Sequence, residues 1–160
     1  RNDRRVRGEN RTFIMKKILV INGANLNMLG LREKEIYGEK TYKDLVSFIK
    51  TAAGNKNLKV RVCQTNHEGK IVDMIQHARR RYDGIIINAG GYTHTSVSVA
   101  DAIKAVSLPT VEVHLSNIYA REEFRKVSYI TPVAEKTIVG KGFAGYADAL
   151  DFFADNACRA

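Results

Sequence analysis

The 160 residues contain no tryptophan and two cysteines, and no apolar run approaches the roughly 18 residues of a membrane span. Cys63 and Cys158 form no CxxC pair and no cluster with histidine, so they read as reduced packing residues of an intracellular, cytoplasmic protein. Phosphate-binding loops are missing too. Gly23-Ala24-Asn25-Leu26-Asn27 is not G-x-G-x-x-G, and there is no GxxxxGK[ST], which argues against a dinucleotide or nucleoside triphosphate cofactor. His67, His77, His94 and His114 fall into no HExxH or HxH pair, and the amides around them give no reason to expect a metal. No repeat or low-complexity stretch interrupts the chain after its first few residues.

What remains is ordinary globular composition, 44% hydrophobic and 27% charged, in a length suited to one domain. The net charge of +9 invites a nucleic-acid reading. Part of it belongs to an arginine-rich start, where five arginines against two acids contribute +3 and leave +6 for the rest. Met15 stands just ahead of the first strand. Residues 1–14 are therefore expected to be a disordered extension without a secretory core, and residues 15–160 a single domain. Basic runs such as Arg79-Arg80-Arg81 read as solvated helix faces. Their functional alternative is attraction of a small anionic substrate.

Hydrophobic periodicity alternates strand and helix. Strands are predicted at 16–22, 58–65, 84–88, 109–117 and 137–139. Helices are predicted at 42–53 with Thr41 as N-cap, 70–81, 96–106 and 145–157, with a short helical piece near 121–125. The last helix should bury Leu150, Phe152 and Phe153. Five strands with helical crossovers define an α/β, flavodoxin-like three-layer sandwich: a parallel sheet in the order 2-1-3-4-5. Ligands of such sheets bind beyond the carboxyl ends of the strands, where the order reverses. The unusual polar segments of this chain follow strands 1, 3 and 4.

Strand 4 is the most informative. In Pro109–Asn117, Glu112, His114 and Ser116 share one face and Val111, Val113 and Leu115 the other. A central strand covered on both sides should be apolar throughout, so three polar residues on one face mark a functional wall. Glu112, two residues before His114, can orient the imidazole or favour its protonation. Strand 3 runs into Asn88-Ala89-Gly90-Gly91-Tyr92-Thr93-His94-Thr95-Ser96, rich in glycine, histidine and hydroxyls. Strand 1 is followed by a connection, residues 23–40, far longer than the two to six residues usual there, and therefore a candidate lid. It holds Tyr37, with Arg32 five residues earlier. A cation beside a phenol favours the phenolate. A phenolate base and a protonated histidine acid make a workable pair for removing water from a hydroxy-ketone.

The segments ILVINGANLNMLGLREKEIYG, QTNHEG, INAGGYTHTSVSVADA, VEVHLSNIYAREEFR and IVGKGFAGY together resemble the type II 3-dehydroquinate dehydratases (type II dehydroquinases) of the shikimate pathway, over essentially all of 15–160. The resemblance implies a hydro-lyase that converts 3-dehydroquinate to 3-dehydroshikimate by anti elimination through an enolate. It implies Tyr37 as base, Arg32 as its support, and Asn25 as a holder of the water that stabilises the enolate. It implies His114 as general acid with Glu112 as partner. Asn88, His94 and Arg125 would bind ring hydroxyls, and Leu115 and Ser116 would cradle the carboxylate. Asp101 would reach a neighbouring subunit's site, and Arg121 would order the lid. The family needs neither metal nor cofactor and typically forms a homo-oligomer, a dodecamer built from trimers. Ala24 and Lys34 stand where the family usually has proline, which leaves the lid backbone freer. Two other readings stay open at this stage: a binding module for an anionic small molecule, with phosphate at the helix start of Ser96, and a nucleic-acid binder.

Overall fold

In a computed structural model of the protein, residues 14–155 are described. The readings placed on residues 1–13, on Cys158 and on the last helix beyond 155 lie outside the described residues. The strands are β1 (Lys17–Asn22), β2 (Lys59–Gln64), β3 (Gly84–Asn88), β4 (Thr110–His114) and β5 (Lys136–Val139). The helices are α1 (Lys34–Tyr37), α2 (Tyr42–Asn55), α3 (Glu68–Ala78), α4 (Val97–Val106) and α5 (Ala144–Asp155). All strand pairs are parallel and the order is β2-β1-β3-β4-β5, as the pattern predicts.

The period of two along each strand divides the core between the faces of the sheet. Ile18, Val20, Ile86, Val111 and Val113 pack beneath α2 and α5 with Leu45, Ile49, Tyr146 and Leu150. Leu19, Ile21, Ile85 and Ile87 pack beneath α3 and α4 with Ile71, Ile75, Val99 and Ile103. Helix α2 starts at a capping box, in which Thr41 Oγ1 accepts from the Asp44 backbone N–H and the Asp44 carboxylate accepts from that of Thr41. Among the described residues, no helix is long and apolar enough to cross a membrane.

Several boundaries differ from the sequence reading. Helix α3 begins at Glu68 and ends at Ala78, where the arginine run turns back through Arg81 and Tyr82 N–H bonds to the Ala78 carbonyl. Strand β4 ends at His114 rather than Asn117, so Leu115 and Ser116 lie past the strand end and Ser116 is not on its polar face. Its neighbour ends there too: β5 stops at Val139, and past it Gly140 (φ 75°) and Gly142 (φ 55°) leave the extended conformation while their N–H groups still donate to the His114 and Leu115 carbonyls. Asn117 then caps a 3-10 turn at Ile118–Ala120, and another follows at Glu123–Arg125, where one short helical piece is expected. Phe152 is half-buried rather than buried, its ring edge-on to the buried Phe153 at 5.1 Å. Cys63 is free, half-buried and packed against the α3/α4 side of the core.

Candidate active site

The turns that follow β1 and β3 meet backbone to backbone. A Cβ at Gly23 would lie 2.2 Å from the Ala89 carbonyl oxygen, and one at Gly90, where φ is +60°, 2.5 Å from that of Ala24. Only glycine permits this approach, and it seats both turns at the switch in strand order. Beyond them lies a cavity of about 140 Å³, on the scale that takes a single six-membered ring. Its lining includes Asn25, Arg32, Tyr37, Asn88, His94, His114, Leu115, Ser116, Arg121 and Arg125. Three arginines and no carboxylate line it, so it favours an anion.

Glu112 stands behind this wall, fully buried in the middle of β4. Isolated burial of a carboxylate is prohibitive, and five donors offset it here. Thr93 Oγ1 (3.1 Å), Ser128 Oγ (2.6 Å) and the His114 Nε2–H (2.7 Å) donate to Oε1. Thr131 Oγ1 (2.6 Å) and Thr137 Oγ1 (2.9 Å) donate to Oε2. Burial pushes the Glu112 pKa up, but His114 and the hydroxyls outweigh it and hold the group at about 2. The result is a permanent carboxylate behind a histidine whose other nitrogen, Nδ1, has no hydrogen-bond partner among the described residues.

His94 stacks on His114, ring centroids 6.5 Å apart and 19° from parallel. Its Nδ1 lies 2.6 Å from the Val127 carbonyl, an acceptor, so Nδ1 carries the proton. Burial first, with His114 and Arg125 nearby, lowers the His94 pKa, so the ring stays neutral and Nε2 can accept from a hydroxyl.

The lid contains a 3-10 turn at Leu26–Met28 and the single turn α1, anchored by the buried Leu26 and Leu29. Tyr37 closes α1. Its hydroxyl accepts from Arg121 Nη1 at 2.8 Å, and Arg121 also pairs with Glu33 at 3.2 Å. Arg32 supports the ring differently from the sequence reading: its guanidinium sits 5.5 Å from the Tyr37 centroid and pairs with Glu33, while the bond to the hydroxyl comes from Arg121. Asn25 adopts a left-handed backbone, φ 68°, next to Ala24. The freedom left by alanine is taken up by Asn66, whose Oδ1 accepts from the Asn25 N–H at 3.0 Å. Gln64 Nε2 donates to that same oxygen at 3.0 Å, and the Tyr92 hydroxyl holds the Asn66 carbonyl at 2.8 Å.

All but two of the sequence-picked site residues thus line one cavity. Glu112 acts from behind it, and Asp101 stands apart, exposed on α4. The readings that missed were the hydroxyl cradle of Glu112, the direct bond from Arg121 to Tyr37 and the Gln64–Asn66 brace. The helix start at Ser96 is no anion site: Ser96 Oγ caps the Val99 N–H and donates to the Glu68 carboxylate at 2.5 Å, so an acid already occupies the position. Among the described residues no group of three His, Cys, Asp or Glu side chains is placed to hold a metal ion.

An open parallel sheet with a tyrosine–arginine pair facing a carboxylate-backed histidine defines an acid–base enzyme acting on a small anion. The chain belongs to the family described as Dehydroquinase class II, whose profile it matches over residues 16–154. It is 53% identical over 140 residues to the 3-dehydroquinate dehydratase 1 of Corynebacterium efficiens, covering 88% of this chain and 93% of that one. It is 58% identical over 137 residues to the 3-dehydroquinate dehydratase of Fusobacterium nucleatum, covering 84% and 93%. The crystal structure of a type II dehydroquinase from Butyrivibrio crossotus superposes with a TM-score of 0.85 at 50% identity, over 86% of this chain and 97% of that one.

Proposed function

We propose that the chain dehydrates 3-dehydroquinate to 3-dehydroshikimate in the shikimate pathway, by anti elimination through an enolate. The observation that carries the reading is the pairing in one cavity of Tyr37, bonded to Arg121, with His114, backed by the carboxylate of Glu112. The guanidinium on the phenolic oxygen stabilises phenolate, which takes a proton from the carbon next to the ketone. The C–H electron pair passes to the ketone oxygen, and Asn25, through a bound water, stabilises the enolate. Collapse of the enolate forms the new C=C bond and breaks the C–O bond of the β-hydroxyl. His114, as imidazolium facing Glu112, protonates that oxygen, and water leaves.

Arg125, His94 and Asn88 hold the ring hydroxyls, and the Leu115 and Ser116 backbone with the Ser116 hydroxyl cradles the carboxylate. Asp101, exposed on α4, serves the site of a neighbouring subunit in a dodecamer built from trimers. The enzyme works in the cytoplasm and needs no metal or cofactor. No lysine lines the cavity among the described residues, which favours the enolate route over a Schiff base.

The test is the rise in ultraviolet absorbance of the conjugated enone on adding 3-dehydroquinate, beside samples treated with chelator or with borohydride and substrate. Turnover should survive both treatments and fall about a thousandfold in Tyr37→Phe. Turnover lost to borohydride, or retained in Tyr37→Phe, overturns the mechanism.

A further inference from the structure

The GFAGY segment at the start of α5 contributes nothing to the cavity lining, yet its tyrosine is wired to it. Asn22 and Asn88 end the two central strands side by side, as direct partners in the β1–β3 ladder. Both are buried, and Tyr146, fully buried on α5, reaches between them. The Tyr146 hydroxyl donates to Asn22 Oδ1 at 2.6 Å and accepts from Asn88 Nδ2 at 3.1 Å. Asn88 Oδ1 in turn accepts from the Gly90 N–H at 3.2 Å. A core position facing apolar neighbours would be served by phenylalanine. Tyrosine here contributes two hydrogen bonds that phenylalanine cannot make.

We propose that Tyr146 is a positioning residue for substrate binding: its hydroxyl, committed to Asn22, sets which way the Asn88 amide faces the cavity. The inference rests on the reading of Asn88 as a holder of a substrate hydroxyl. A hydroxyl has one hydrogen, and here it goes to Asn22. Toward Asn88 the oxygen can only accept, so the amide must turn its nitrogen to Tyr146 and its oxygen to Gly90. A flipped amide would set its N–H against the Gly90 N–H. One N–H and one lone pair of Asn88 are left over, in fixed places, for a ligand. Burial raises the Tyr146 pKa, which keeps the donor to Asn22 in place.

A double-variant cycle in steady-state turnover of 3-dehydroquinate tests this. Tyr146→Phe should raise KM about fivefold and leave kcat within about twofold, the pattern of a lost uniform binding contact. Asn88→Ala should raise KM by more, and the double variant should match Asn88→Ala alone, because Tyr146 acts only through Asn88. Leu150→Val, one turn further along α5, lowers stability without moving KM. Should Tyr146→Phe fail to fold, Asn22→Leu removes the acceptor that commits the Tyr146 hydrogen, frees the hydroxyl to turn on Asn88, and should likewise raise KM. Full additivity of Tyr146→Phe with Asn88→Ala, or an equal KM rise in Leu150→Val, overturns the proposal. If Asn88→Ala leaves KM unchanged, the reading of Asn88 itself fails and the relay falls with it.

Discussion

Replacing Glu112 by glutamine keeps the shape of the side chain and removes its charge, and both stability and turnover should register the loss. The carboxylate accepts from four hydroxyls and from His114, and it is held at about 2 against an ordinary value of 4.5. At about 1.4 kcal/mol per unit, that depression corresponds to about 3 kcal/mol of stability present at neutral pH. Glutamine resembles the protonated acid. It should forfeit this amount, because the Thr131 and Thr137 hydroxyls then face an amide nitrogen and must turn round to accept. The pH dependence carries the sign. A folded-state value below the unfolded one gives stability that is complete above 4.5 and lost as pH falls toward 2. Denaturant unfolding between pH 7 and pH 2 should show this acid-side loss in the native enzyme and not in Glu112→Gln. In the enone assay kcat should fall about a hundredfold, since His114 loses the carboxylate that holds its ring through Nε2. Equal stability of the two proteins at pH 7, or the same acid-side loss in both, would refute the view of the cradle as a device for an ionised carboxylate.

Three further outcomes follow from single contacts. Arg121→Met removes the bond to the Tyr37 hydroxyl, so kcat/KM should drop about thirtyfold, with Arg121→Lys recovering part of it; an unchanged value would assign phenolate support to Arg32 alone. An NMR titration should find His94 still neutral below the usual histidine midpoint, with the proton on Nδ1; a midpoint at or above the usual value contradicts the placement. Ser107 ends α4 in a left-handed conformation, φ 54°, so Ser107→Gly should stabilise by about 1 kcal/mol without touching turnover, a shift readable as a higher Tm.

The arrangement of the sheet and the polar face of β4 were legible because both follow from a period of two, which needs only neighbouring residues. Glu112 and His114 stood out as breaks in that period. What the period could not show was the donors that make the break tolerable. Thr93, Ser128, Thr131 and Thr137 come from three separate stretches of chain, the first three in turns and loops and the last on β5, and look like ordinary hydroxyls until the fold gathers them around one carboxylate. Tyr37 was paired with Arg32 because Arg32 is close in sequence, whereas the bond to its hydroxyl comes from Arg121, across the cavity. Strand β4 read too long because apolar alternation continues through Leu115, while its partner β5 bends away at Gly140 and Gly142, both at positive φ, and ends the ladder earlier. Tyr146 drew no assignment from the sequence, because its place between Asn22 and Asn88 depends on how α5 packs against the sheet.

The contact between the turns at Gly23–Ala24 and Ala89–Gly90 gives the two halves of the chemistry a common foundation. One turn leads into the segment that carries Tyr37, and the other into the segment that carries His94. Each turn rests on the other's carbonyl oxygen, with no side chain between them to yield. Neither segment can then be lengthened or re-angled at its root without displacing the other. A change in the shape of the cavity that leaves this foundation in place has to be made further out, in the stretch from Leu31 to Lys40, whose side chains are mostly exposed.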